Sequence, residues 1–202
     1  MADALGGLFA RPDIARLARS LRERPGAQRP LEDPLRRAAV ALIIRDGGAG
    51  PAILMIKRAS FAGDPWSGHI ALPGGRREPG DATLEATAIR ETREETGVDL
   101  AAHGRLLGRL DELQPSTPVL PQLAIAPYVA LLEGDAPFAL SEEVVDAFWV
   151  SMTALADPAN WSDVQIEVRG VRRSFPAFLH GEHVVWGLTE RILRQFLARL
   201  AA

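Results

Sequence analysis

The chain has 202 residues, enough for one domain with a substantial core, and its 47% apolar and 24% charged content is ordinary for a folded globular protein. A formal charge of −3 leaves no electrostatic footprint for nucleic acid or a membrane surface. The absence of cysteine excludes disulfide scaffolds, cysteine metal sites and thiol catalysis. No uninterrupted apolar run reaches transmembrane length, and Asp3 interrupts the N-terminus before any apolar h-region, so a cytoplasmic protein is the expectation.

Residues 1–36 read as an N-terminal helical arm and linker, and 37–202 as the main domain. Ile14, Leu17 and Leu21 recur at i, i+3 and i+7, which predicts an amphipathic helix over 12–23. Arg16, Arg19, Arg22 and Arg24 lie on its other side as a solvated basic face. Pro25 to Pro34 follows as the linker. Ala38 to Arg45 is a nearly continuous apolar run and reads as a central strand buried on both faces. A glycine-rich turn over Asp46 to Pro51 joins it to a second strand, Ala52 to Lys57, as a hairpin. Arg58 to Gly68 is a loop, and Ile70 to Leu72 a short strand.

Pro73-Gly74-Gly75 and Pro79-Gly80 are turn signals. Asp81 is the predicted N-cap of a helix over Ala82 to Thr96, about four turns long, with Gly97 as its C-terminal stop. Strands are predicted over Arg105 to Leu113 and Leu123 to Leu132, joined by a loop with Pro115, Pro118 and Pro121. Val144 to Val150 is a further strand, followed by a short helix over Met152 to Ala156. Val164 to Val168 and Arg172 to Phe178 read as a strand pair. Val184-Val185-Trp186-Gly187 leads into a final helix, about 188–200, with Ile192, Leu193, Phe196, Leu197 and Leu200 as its buried side. Trp186 reads as a core residue, with a stacking contact to a ligand ring as the alternative. This order fits an α/β fold, a mixed sheet between helices.

The helix after Pro79-Gly80 carries the chemistry. Leu84, Ala88 and Thr92 form one stripe, and Glu91, Glu94 and Glu95, at i, i+3 and i+4, share the neighbouring face. Three carboxylates beside a core repel one another and resist desolvation. A divalent cation removes both problems, and hard oxygen ligands suit magnesium or manganese. The alternative is a solvated acidic face paired with Arg90 and Arg93.

This stretch resembles the signature of the Nudix hydrolases. Arg90-Glu91, Glu94-Glu95, Gly97 and Val98 match it in order and spacing. Thr92 stands where an aliphatic residue is usual. The preceding loop is one residue longer, so Ala82 falls at an early Glu position that Asp81, Glu78 or Glu85 would have to fill. The resemblance implies a Nudix-like α/β/α sandwich around a mixed, partly closed sheet. It also implies water-driven cleavage of the diphosphate in a nucleoside diphosphate derivative. By position, Glu91, Glu94, Glu95 and the Gly75 carbonyl become ligands of Mg2+ or Mn2+, with Glu91 or Glu94 as base. Arg90, Gly74 and Gly97 become structural supports of the site. A further acid outside the helix is expected, with Glu143 the candidate and Asp111 and Glu112 weaker competitors. A homodimer is the protein partner such a family suggests.

Two more stretches resemble the coenzyme A pyrophosphatase branch of that family: Leu54 to Ala59 with Gly68 and Pro73-Gly74-Gly75, and Val185-Trp186-Gly187-Leu188-Thr189 with Arg191. They imply coenzyme A or an acyl-CoA as substrate, giving 3′,5′-ADP and 4′-phosphopantetheine, with Arg58 and Trp66 as substrate contacts. Asp64 stands where that pattern has an Arg, and Leu72 where it has Phe. ADP-ribose, a dinucleotide, a nucleotide sugar or an oxidised nucleotide is therefore the alternative substrate. A non-catalytic nucleotide sensor is the rival function.

Overall fold

The structure is a computed structural model that describes residues 4–30, 36–61, 63, 66–115, 123–135, 137–168 and 170–202. Asp64, Pro118 and Pro121 lie outside the described residues. The chain begins with α1 (Ala4–Phe9) and α2 (Pro12–Glu23), then β1 (Arg37–Asp46), β2 (Pro51–Arg58), β3 (Ile70–Ala71) and β4 (Gly74–Arg76). Next come α3 (Leu84–Thr96), α4 (Leu100–His103), β5 (Gly104–Arg109), β6 (Ala124–Leu132) and β7 (Val144–Ser151). The chain closes with α5 (Met152–Ala156), β8 (Trp161–Val168), β9 (Val171–His180), β10 (His183–Trp186) and α6 (Leu188–Ala201).

The apolar run of β1 is central because both its faces are covered. It forms a hairpin with β2, where Ile44 lies opposite Ile53, and it runs parallel to β6 from Arg37–Ala124 to Ile44–Leu131. β5 pairs antiparallel with β6, and both β3 and β7 pair antiparallel with β2. The sheet is therefore mixed, with the path β3-β2-β1-β6-β5, while β8, β9 and β10 form a second sheet.

Alternation along β1 sorts its side chains between two layers. Ala39, Ala41 and Ile43 pack with Ala88 of α3 and with Val98 and Leu100. Leu42 and Ile44 pack with Ile14, Leu17 and Leu21 of α2 and with Ile192, Leu193 and Phe196 of α6. Helix, sheet and helix thus form an α/β/α sandwich, and each helix layer is recruited by the apolar stripe its own sequence carries.

Three expectations are corrected. Asp81 is not the N-cap of α3: Thr83 is, with extended backbone and its hydroxyl accepting from Ala86 N at 3.1 Å. Asp81 is instead drawn to Arg90 and Thr87, and the helix begins at Leu84. Pro73-Gly74-Gly75 does not simply turn: Gly74–Arg76 pairs with Ala38–Val40 of β1. A Cβ on Gly74 would stand 2.3 Å from the Ala39 carbonyl oxygen, so the glycine permits a backbone approach. The strand from Arg105 ends at Arg109, and Leu113 makes only an isolated bridge to Ile125.

Asp111 and Glu112, in the break after β5, fasten the segment that follows α2. Asp111 accepts from Ala27 N at 2.8 Å. The Glu112 side chain is fully buried and accepts from Arg29 N and from Arg37 Nη1, each at 2.7 Å. Arg109 Nη2 donates to the Gly26 carbonyl at 2.7 Å. Among the described residues no helix is long and apolar enough to cross a membrane.

Candidate active site

The last two turns of α3 supply three acids in three different settings. Glu95 is buried against the sheet and accepts from Gly74 N at 2.7 Å, with Arg58 Nη1 3.6 Å away. Glu91 is mostly buried and covers Gly75 so closely that a Cβ there would lie 2.5 Å from its carboxylate. Glu94 is 57% exposed and accepts from Arg90 Nη1 at 2.8 Å. Backbone and carboxylates thus converge at Gly74–Gly75, where β4 meets α3.

Arg90 organises the outer edge of this cradle. Its Nε and Nη2 donate to the two oxygens of Asp81 at 3.0 Å each, and Nη2 also donates to the Arg76 carbonyl. The same guanidinium lies 3.0 Å from Glu91. Asp81 also accepts from Glu78 N and from the Thr87 hydroxyl, at 2.9 Å each. Hydrogen bonding to Arg90 holds the Asp81 carboxyl well below the usual carboxylate range, against the opposing cost of its burial. Asp81 is the acidic support that the sequence left open among three candidates, and it reaches into α3 at Thr87 and Arg90, six and nine residues further on. Nothing in a linear pattern marks that pairing.

Glu143 is brought to the same place by backbone. Ser141 N donates to the Glu95 carbonyl, Ala139 N to the Thr96 carbonyl, and Ala59 N to the Glu143 carbonyl. These bonds lay residues 139–143 along the end of α3, and Gly97, at φ +77°, turns the chain beneath Ala139. Burial pushes the Glu95 carboxyl up to about 7, opposed by Gly74 N–H and Arg58 and reinforced by the charges of Glu91 and Glu143. Burial also raises Glu91, with Glu94 and Glu143 adding to the effect and Arg90 opposing it.

Gly74, Gly75, Glu91, Glu95, Glu143 and Arg58 are therefore neighbours, and Glu94 and Arg90 close one edge. Trp66 lies in the turn that returns to β3, its carbonyl accepting from His69 N at 3.2 Å. Trp186 is partly exposed rather than a core residue, and its ring packs against His69 and Phe175. Among the described residues no three acids already form a ligand set. The donors present are nevertheless all hard oxygens, and two are carboxylates whose burial disfavours ionisation. Both features fit a small divalent cation.

Sandwich and cradle together set carboxylates gathered on one helix against a glycine-opened backbone. The family model for the NUDIX domain matches residues 34–168. The chain belongs to the Nudix family. It is 32% identical over 202 residues to the human mitochondrial coenzyme A diphosphatase NUDT8, covering 98% of this chain and 79% of that protein. It is 36% identical over 134 residues to an uncharacterized protein of Schizosaccharomyces pombe, C14C4.10c, across 64% of this chain but only 41% of that protein. Among solved structures, a MutT/nudix family protein from Enterococcus faecalis aligns with a TM-score of 0.54 at 16% identity, covering all of this chain and 75% of that one. That last likeness speaks to fold alone. Nudix hydrolases generally use divalent cations such as Mg2+ or Mn2+ and act on small nucleotide substrates.

Proposed function

We propose that this chain hydrolyses the diphosphate linkage of a nucleoside diphosphate derivative, with coenzyme A or an acyl-CoA as substrate. The observation that carries the reading is the convergence of Glu91 and Glu95 on the Gly74–Gly75 backbone, with the segment that carries Glu143 laid along the end of α3. Glu91, Glu94, Glu95 and the Gly75 carbonyl would hold Mg2+ or Mn2+ there, and the ion would supply positive charge for the diphosphate and a more acidic water. Glu94 would join them by leaving Arg90, which its exposure permits.

Glu91 or Glu94 takes the proton of the attacking water, and Glu143, outside the helix, is the further acid. Arg58, at the end of β2, offers a guanidinium to the substrate's phosphates. Arg90 works through its grip on Asp81, Glu91 and the Arg76 carbonyl. Support for coenzyme A comes from the likeness to the human diphosphatase along nearly the whole chain, together with the two stretches at 54–75 and 185–191. Trp66 remains a proposed substrate contact on that resemblance.

The test is a substrate screen of the purified protein with Mg2+ or Mn2+, reading products by mass spectrometry beside Glu94→Gln. Release of 3′,5′-ADP from coenzyme A, lost in the variant, is the expected result. Cleavage of ADP-ribose, a dinucleotide or a nucleotide sugar instead retains the chemistry and discards coenzyme A. Tight nucleotide binding without turnover of any compound overturns the enzymatic reading in favour of a sensor.

A further inference from the structure

Beside Arg58, and one strand further from the carboxylates, three rings meet at a junction between the two sheets. Their orientation follows from register. Leu54 of β2 packs on the α3 side of the sheet, so Ile56 and Arg58 face the same way. Ala71 of β3 lies opposite Ile56, and His69, two residues earlier, shares its face. Backbone bonding continues this register, since Arg58 N donates to the His69 carbonyl at 3.0 Å. His69 is thus placed on the catalytic side of the sheet, next to the arginine that approaches Glu95.

The second sheet completes the arrangement. Val185 is buried in the core shared with α6, so its neighbour Trp186 points to the opposite face. Trp186 lies opposite Ala177, and Phe175, two residues from Ala177, shares that face. The Trp186 ring meets His69 at 4.8 Å between centroids and Phe175 at 5.1 Å. The ring planes are splayed by 58° and 48°, and all three residues are partly exposed.

We propose that this ledge is the subsite for the nucleobase of the substrate, with Trp186 and Phe175 determining specificity by stacking and His69 offering a polar ring edge. This rests on the reading of the substrate as a nucleoside diphosphate derivative. A nucleobase has the matching chemistry, two π-faces and a polar rim. Continuity with Arg58 places the phosphates of the same molecule over the acid cradle.

Trp186→Leu and Phe175→Leu test this, assayed on a nucleoside diphosphate derivative that the wild type cleaves and on an alkyl diphosphate ester without a base. The expected result is a KM raised about 5- to 100-fold for the base-bearing compound, the range of a lost base–aromatic stack, with kcat and the alkyl ester unaffected. Equal effects on both compounds, or an unchanged KM, overturn the ledge while leaving the hydrolase intact. Calorimetric binding of AMP without metal decides the question separately from turnover. Wild-type binding that weakens by a similar factor in Phe175→Leu supports the subsite even if nothing is cleaved, and equal or absent binding refutes it. His69→Ala, read the same way, replaces Trp186→Leu if that variant does not fold.

Discussion

Gly75 carries no side chain because the Glu91 carboxylate occupies the space one would need, 2.5 Å from an added Cβ. Gly75→Ala therefore displaces the acid rather than the fold. The expected outcome is a loss of about 100-fold in kcat, the scale of a misplaced reacting group, with a melting temperature close to wild type. Asp81 makes a different prediction. Arg90 depresses its pKa in the folded state, so at low pH the unfolded chain binds the extra proton and stability rises with pH. Its contribution is complete above the ordinary carboxylate pKa of about 3.9 and disappears as pH falls through the folded value. Urea titrations of wild type and Asp81→Asn should differ most near neutrality and converge on the acid side, and parallel curves from neutral to strongly acid pH would contradict this. At this scale the sequence was informative wherever helix geometry converts spacing into adjacency, as for Glu91, Glu94 and Glu95. It left Asp81 one of three candidates and misread it as a cap, because a carboxylate that reaches an arginine nine residues away across a helix start depends on how the loop is folded. It was silent on His69, whose neighbours come from a strand more than a hundred residues later.

Among elements, α3 depends on a cap that is not the one the loop advertised. Thr83→Ala should destabilise the protein by about 1 kcal/mol, measured by denaturant midpoint, while Asp81→Asn leaves the helix start in place. Strands with long apolar runs were legible: β1, β2 and β6 needed only their composition and bounding turns. The short elements were not. β4 is three residues held to β1 by backbone alone, with two glycines that advertise a turn. The four-residue α4 exists because Asp99 accepts from Ala101 N and Ala102 N, a capping signal with no apolar period behind it. Periodicity needs several repeats to be visible, and elements of one turn or one pleat offer none.

For the molecule as a whole, the parallel pairing of β1 with β6 joins segments nearly ninety residues apart, and no local pattern specifies it. Glu112 likewise lies 83 residues from Arg29 in the segment it fastens. Glu112→Ala leaves the largely buried Arg37 and Arg109 guanidinia without their carboxylate. The expected cost is about 3–5 kcal/mol, visible as a lower denaturant midpoint with an unchanged slope. The two chain ends also meet: α2 and α6 share one apolar cluster, and Arg199 donates to the Ser20 hydroxyl and the Arg24 carbonyl. During synthesis this has a consequence in time. A ribosome adding about 5–20 residues per second releases α2 long before α6, so Ile14, Leu17 and Leu21 lack the cover of Ile192, Leu193 and Phe196 until that helix emerges. The α2 layer is therefore completed late in synthesis, and through that interval the nascent chain depends on whatever shields α2.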